Sequence, residues 1–71
     1  MTVNTIDNRG LEPPEPMVRI FAALQSLGPD DHLLALMDRE PMLIYAELER
    51  RGFAWEFRTD DGPVIEIWRS A

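Results

Sequence analysis

The chain has 71 residues, a net charge of −6 and no cysteine, a combination that excludes several classes of protein at once. So short a chain buries only about 60 % of the surface that its unfolded form exposes, which leaves room for a single domain over residues 1–71. The missing thiols exclude disulfides, thiolate metal sites and persulfide transfer, and the negative charge disfavours nucleic acid as a partner.

The start of the chain carries no basic segment followed by an apolar run, so no secretory signal is expected. No later stretch approaches the roughly 20 apolar residues of a membrane span. We therefore expect a cytoplasmic protein without membrane contact.

The first predicted element is a short strand over residues 3–6, which ends in a turn-forming cluster at residues 7–10.

An amphipathic helix follows, with apolar residues at helical spacing from Met17 to Leu27. Pro14 is expected at its first position and Pro16 at its third, where a missing N–H group costs little. Those missing donors, together with the negative charges of Glu12 and Glu15, argue against a phosphate site at this helix end.

The second half of the chain predicts a strand, a helix and a hairpin. Residues 32–37 are apolar on both alternating faces and favour a central strand. A second helix is expected from about 41 to 51, with Gly52 as its stop. Residues 53–58 alternate plainly as a strand, and after a turn at 59–62 the strand 64–69 pairs back on it.

This order of elements predicts an α+β fold, a two-layer α/β sandwich of topology β-α-β-α-β-β with a four-stranded mixed sheet and both helices on one face. Right-handed crossovers make the first three strands parallel, so their carboxyl ends share one edge, where open α/β folds place binding sites. The predicted edge is acidic and contains two arginines, Arg9 and Arg39. Its acidic residues are Asp7, Glu12, Glu15, Asp38, Glu40, Asp60 and Asp61.

Residues 7–16 read Asp7-Asn8-Arg9-Gly10-Leu11-Glu12-Pro13-Pro14-Glu15-Pro16, which resembles the D-x-R-G-L-x-C-P-x-P signature of the TusA/SirA-like sulfur carriers. Pro13 stands where that family keeps its sulfur-carrying cysteine. The later sequence is similar to a cysteine-free branch of the same superfamily, a domain of unknown function, through Asp38-Arg39-Glu40-Pro41, Leu43, Tyr45, Leu48 and Arg51-Gly52. The resemblance spans nearly the whole chain and implies the same fold, but it transfers no sulfur-carrier activity.

Two surfaces are candidate binding sites. The first is the end of the fold that carries the two loops, where Arg9 and Arg39 either form a structural ion-pair network, for example Arg9 with Asp38, or grip a carboxylate ligand. Its candidate residues are Arg9, Glu12, Pro13, Pro14, Glu15, Asp38, Arg39 and Glu40. The second is the sheet face away from the helices, where Val64 and Trp68 would join Leu33, Ala35 or Met37 in an apolar patch.

Catalytic chemistry has little support, because no serine or threonine has an evident neighbouring base and no cysteine is present. A site for Mg²⁺ or Ca²⁺ would have to use oxygen ligands, without any familiar loop spacing. Its ligands would be Asp7, Glu12, Glu15, Asp38 and Glu40. His32, the one histidine, is expected at the opposite end as an ordinary edge residue.

The leading hypothesis is a small non-catalytic binding or docking module that needs no cofactor and meets a protein partner. The alternative is a carboxylate-based metal-dependent enzyme or metal-binding protein. A third possibility is a structural subunit that dimerises through the sheet face, so the protein is expected to be a monomer or a weak homodimer.

Overall fold

A computed structural model describes residues 1–70, and residue 71, which the predicted domain includes, lies outside the described residues. Strands and helices alternate in the predicted order, and a short 3₁₀ helix precedes the second α-helix. The elements are β1 (Val3–Asp7), α1 (Glu15–Gln25), β2 (His32–Leu36), the 3₁₀ helix (Met42–Ile44), α2 (Tyr45–Arg50), β3 (Phe53–Arg58) and β4 (Val64–Arg69). None of the helices within residues 1–70 has the length and apolar character needed to cross a membrane.

The four strands form one mixed sheet in the order β1-β2-β4-β3. β2 runs parallel to β1 and antiparallel to β4, and β4 runs antiparallel to β3. β1, β2 and β3 therefore point in the same direction, as predicted. Their carboxyl ends share one edge of the sheet, and we call this edge, with the loops that follow the strands, the loop end.

The core lies between one face of the sheet and the two helices. Leu33 of β2 pairs directly with Ile67 of β4, and both side chains are fully buried on that face. Ile20 of α1 and Leu48 of α2 belong to the same buried cluster. Both helices therefore cover the same face, and the opposite face, which we call the outer face, is left without a helix.

The structure corrects the prediction of which β2 residues share the outer face with Trp68. His32 pairs with Trp68 in the sheet, and directly opposed residues of an antiparallel pair point to the same side. The outer face of β2 is thus formed by the alternation that begins at His32. The residues predicted to lie there, Leu33, Ala35 and Met37, are buried under the helices instead.

The first helix begins one residue later than predicted. Glu15 is its first residue, so Pro14 is the N-cap and Pro16 occupies the second position. The carbonyl of Pro14 accepts hydrogen bonds from the N–H groups of Met17 and Val18, both at 3.1 Å. The missing N–H groups of the two prolines still cost little, as predicted, because neither proline occupies a position whose N–H donates a hydrogen bond within the helix.

The second helix is shorter than the predicted span of 41–51. Pro41 has φ −85° and ψ 63°, which is not helical, so no α-helix can begin there. The chain instead makes one 3₁₀ turn before the α-helix starts at Tyr45. Gly52 ends the helical region with φ 84°, a left-handed conformation that favours glycine.

Candidate functional site

Two loops meet at the loop end of the sheet. One follows β1 and leads into α1, and the other follows β2 and leads into the 3₁₀ helix. The backbone N–H of Asn8 donates to the carbonyl of Leu36 at 2.8 Å. The backbone N–H of Gly10 donates to Asp38 Oδ2, also at 2.8 Å. These two bonds hold the loops side by side, so that residues distant in the sequence line a common groove.

Arg9 is paired within its own loop. Its Nε donates to Asp7 Oδ1 and its Nη2 donates to Asp7 Oδ2, both at 2.9 Å, which is a bidentate arrangement. The hydrogen bonds from the Arg9 side chain and backbone lower the pKa of Asp7 to about 2. The ion pair between Arg9 and Asp38, which was one example of the possible network, is therefore not formed among the described residues. Two N–H groups of the Arg9 guanidinium donate to Asp7, and Asp38 accepts from the backbone of Gly10 instead.

A groove of about 170 Å³ lies between the two loops. It is predominantly apolar, and two of its residues are unusually open to solvent: Met42 is 66 % exposed and Leu43 89 % exposed. We call it the docking groove. Its lining residues are Asn8, Leu11, Pro13, Pro16, Met17, Met37, Asp38, Arg39, Glu40, Pro41, Met42 and Leu43.

Asn8 is the polar residue at the inner wall of the docking groove, and it is only 1 % exposed. Its Nδ2 donates to the carbonyl of Pro16 at 3.0 Å and to Met37 Sδ at 3.6 Å, which fixes the orientation of the amide. Its Oδ1 is buried and has no hydrogen-bond partner among residues 1–70. A buried carbonyl without a donor is uncommon in folded proteins and needs an explanation.

The rim of the docking groove is formed by Asp38, Arg39 and Glu40, all exposed. Arg39 makes no side-chain hydrogen bond or ion pair within the part of the chain that the structure describes, so its charge is free to meet another molecule. Glu40 Oε2 accepts a hydrogen bond from the Tyr45 hydroxyl at 2.8 Å. The rim therefore combines one unpaired cation with two carboxylates.

The structure brings together only part of the predicted loop-end set. Pro13 and the rim residues Asp38, Arg39 and Glu40 line the docking groove, whereas the remaining predicted residues do not. The residues outside it are Arg9, Glu12, Pro14 and Glu15. The most exposed apolar lining residues, Met42 and Leu43, were missed because the segment after Pro41 was interpreted as the start of a helix.

The acidic residues of the loop end do not converge. Within residues 1–70, no three His, Cys, Asp or Glu side chains lie close enough to hold a metal ion together. Asp7 is engaged by Arg9, and Asp38 accepts the N–H of Gly10. Both carboxylates are thus engaged within the protein, and the metal-binding alternative gains no geometric support.

Tyr45 should titrate far above its ordinary range. Burial of the ring and the hydrogen bond to Glu40 raise its pKa to about 12. Tyr45 is the sole tyrosine, so the ultraviolet absorbance of phenolate reports on it alone. A raised pKa means that its stabilising contribution is complete below the unfolded value, about 10, and is lost as the pH rises through the folded value.

The control for the Tyr45 titration is Glu40→Gln, which removes the neighbouring negative charge. We expect the midpoint to fall in this variant but to stay above the value in denaturant, because burial is the larger cause of the shift. A wild-type midpoint near 10 in the folded protein would contradict the packing of Tyr45 against Trp55, whose rings stack with centroids 5.0 Å apart.

The outer face carries a polar network rather than a wide apolar patch. His32 Nδ1 lies 2.5 Å from Glu66 Oε2, and Arg58 Nη1 lies 2.9 Å from Glu66 Oε1. These two contacts lower the pKa of Glu66. The His32 ring stacks on Trp68 with centroids 5.2 Å apart. The two predicted sheet-face residues, Val64 and Trp68, are both only partly exposed.

Comparison with protein families places most of the chain in a family of unknown function. The model of a family described as "Uncharacterized conserved protein (DUF2249)" matches residues 5–70. No curated protein and no solved structure matches the chain. The matched range includes both loops of the docking groove and all four strands except the first two residues of β1.

Proposed function

The chain belongs to the DUF2249 family of uncharacterised conserved proteins, and we propose that it is a small, non-catalytic docking module whose groove binds a basic segment of a protein partner. In this proposal the domain is a cysteine-free relative of the TusA/SirA-like sulfur carriers that keeps their proline turn for recognition. Pro13, at the position of the sulfur-carrying cysteine in that resemblance, lines the groove. A cytoplasmic location and a monomeric or weakly dimeric state belong to the same proposal.

The observation that carries the proposal is the exposure of Leu43 and Met42 beside a preformed groove. A leucine that is 89 % exposed leaves apolar surface in water that a partner would cover. The groove volume of about 170 Å³ is below the range of roughly 300–1,000 Å³ that holds drug-sized ligands. Its size therefore suits one or two side chains of a protein rather than a cofactor.

The charge around the groove favours a basic partner segment. Asp38 and Glu40 flank Arg39 on the rim, and Glu12 and Glu15 are exposed on the adjacent turn. The protein as a whole carries a net charge of −6. An acidic surface attracts a positively charged partner during encounter and repels an acidic one. A segment that carries lysine or arginine beside an apolar anchor therefore fits this surface.

The proposal is tested by photocrosslinking in cells, with benzoylphenylalanine placed at position 43 or, as a control, at position 18. Val18 is a matched control because it is also an exposed apolar residue, 60 % exposed, but lies outside the groove. We expect a discrete adduct at position 43 that is absent at position 18. Mass spectrometry then identifies the partner and the crosslinked segment, which should be basic.

Affinity measured with the purified partner completes the test. Leu43→Asp should raise Kd at least about tenfold, the equivalent of about 1.4 kcal/mol, because it places a charge in an apolar contact. Val18→Asp adds the same charge outside the groove and should leave Kd within about twofold. Equal losses in both variants, or an acidic crosslinked segment, would overturn the proposal.

A further inference from the structure

We propose that the side chain anchored in the docking groove is the indole of a tryptophan, held by the methionines of the groove and hydrogen-bonded through its N–H to Asn8 Oδ1. This inference rests on the proposed function and deepens it by naming the chemistry of the anchor. It is carried by two properties of the groove: its lining and its unpaired acceptor.

The lining favours an aromatic occupant. Met17, Met37 and Met42, three of the four methionines in the chain, line this one groove. Thioether sulfur makes favourable contacts with aromatic rings, and the flexible methionine side chain adapts to a flat partner. Proline rings add rigid apolar walls around them. An aliphatic anchor would fill the same space but would not use the sulfur atoms.

The unpaired acceptor favours an aromatic side chain that carries a donor. Asn8 lines the groove, and its Oδ1 is buried and has no hydrogen-bond partner among residues 1–70. The amide cannot turn to relieve this, because its Nδ2 already donates to the carbonyl of Pro16. Phenylalanine offers no donor, the hydroxyl of a tyrosine would bury an additional acceptor, and a lysine or arginine would bury its charge against apolar walls. Tryptophan combines a large apolar body with a single N–H donor.

The experiment uses small probes, so that no variant of the buried Asn8 is needed. The methionine methyl groups are labelled with ¹³C, and the protein is titrated with 3-methylindole while their NMR shifts are followed. We expect the signals of Met17, Met37 and Met42 to move together and to saturate. Met1 is the internal control, because it lies at the opposite end of the sheet and does not line the groove.

The donor is tested with 1,3-dimethylindole, which keeps the ring and removes the N–H. It should bind between about two- and tenfold more weakly than 3-methylindole, the range expected for one hydrogen bond. Met42→Ala should weaken the binding of 3-methylindole. Val18→Ala, a truncation outside the groove, should leave the affinity for 3-methylindole unchanged.

Equal binding of the two indoles would overturn the role of Asn8, and unmoved methionine signals would overturn the aromatic anchor altogether. Neither result would contradict the proposed docking function if Leu43→Asp still weakened binding of the purified partner. Conversely, saturable indole binding with a partner affinity insensitive to Leu43→Asp would retain the aromatic site and remove the docking proposal. The two failures are therefore distinguishable.

Discussion

At pH 7, the substitution Asn8→Asp should unfold the domain or bring it close to unfolding. Asn8 is 1 % exposed, and its Nδ2 donates to the carbonyl of Pro16. The introduced carboxylate would lose that donor and face a carbonyl oxygen in a buried position. Burial raises a carboxyl pKa by up to 3–5 units, and a rise of about 3 units costs about 4 kcal/mol at neutral pH.

The loss caused by Asn8→Asp should shrink as the pH falls. Because the folded pKa of the introduced carboxyl would be raised, the penalty grows between the unfolded pKa, about 3.9, and the folded value, and it is complete above both. A protonated carboxyl can also donate to the Pro16 carbonyl. Urea unfolding of the variant and the wild type at pH 3.5 and pH 7 measures the difference at each pH.

The matched control for Asn8→Asp is Asn4→Asp, the same change at an exposed position of β1. It adds the same charge, so any general effect of a more negative protein appears in both variants. We expect Asn4→Asp to change the free energy of unfolding by less than about 0.5 kcal/mol. An Asn8→Asp penalty that is small, or that grows as the pH is lowered, would contradict the burial of Asn8.

The second large effect should come from Ile20→Ala, with a loss of about 2–5 kcal/mol in the free energy of unfolding. Ile20 is 0 % exposed in α1 and belongs to the core between helices and sheet. Domains of this size have a total stability of only about 4–11 kcal/mol, at roughly 0.05–0.15 kcal/mol per residue. A cavity at Ile20 would therefore remove a large fraction of it, as measured by urea unfolding.

Val18→Ala provides the control on the same helix. Val18 is 60 % exposed, so its truncation leaves no cavity, and alanine has the higher helix propensity. We expect the stability of this variant to equal or slightly exceed that of the wild type. Similar losses in both variants would mean that α1 does not pack on the sheet through Ile20.

The order of the elements could be predicted from the sequence because apolar residues repeat with the period of each element. Residues 53–58 and 64–69 alternate with a period of two, and both prove to be strands. β2 was harder to orient, since residues 32–37 are apolar on both alternations. Only the pairing of His32 with Trp68 shows that Leu33 faces the helices. A pattern within one strand cannot supply that long-range register.

The candidate site was predictable in place but not in composition. The direction of the parallel strands located it, and the charged residues of the two loops marked it. The docking groove itself depends on how the loops pack, through bonds such as that from Gly10 to Asp38, which join residues far apart in the sequence. Leu43 lies in a segment that was predicted as helix, and Asn8, which is buried, lies in a segment that was predicted only as a turn.

The strand order has a consequence for how the protein can be made. β4 is the last strand along the chain, yet it lies between β2 and β3 in the sheet. The parallel pair β1 and β2 has no contact in the sheet with β3 except through β4. During synthesis, therefore, residues 64–69 must emerge from the ribosome before the four-stranded sheet can form. A premature stop ahead of Val64 removes the strand that joins the two halves of the sheet.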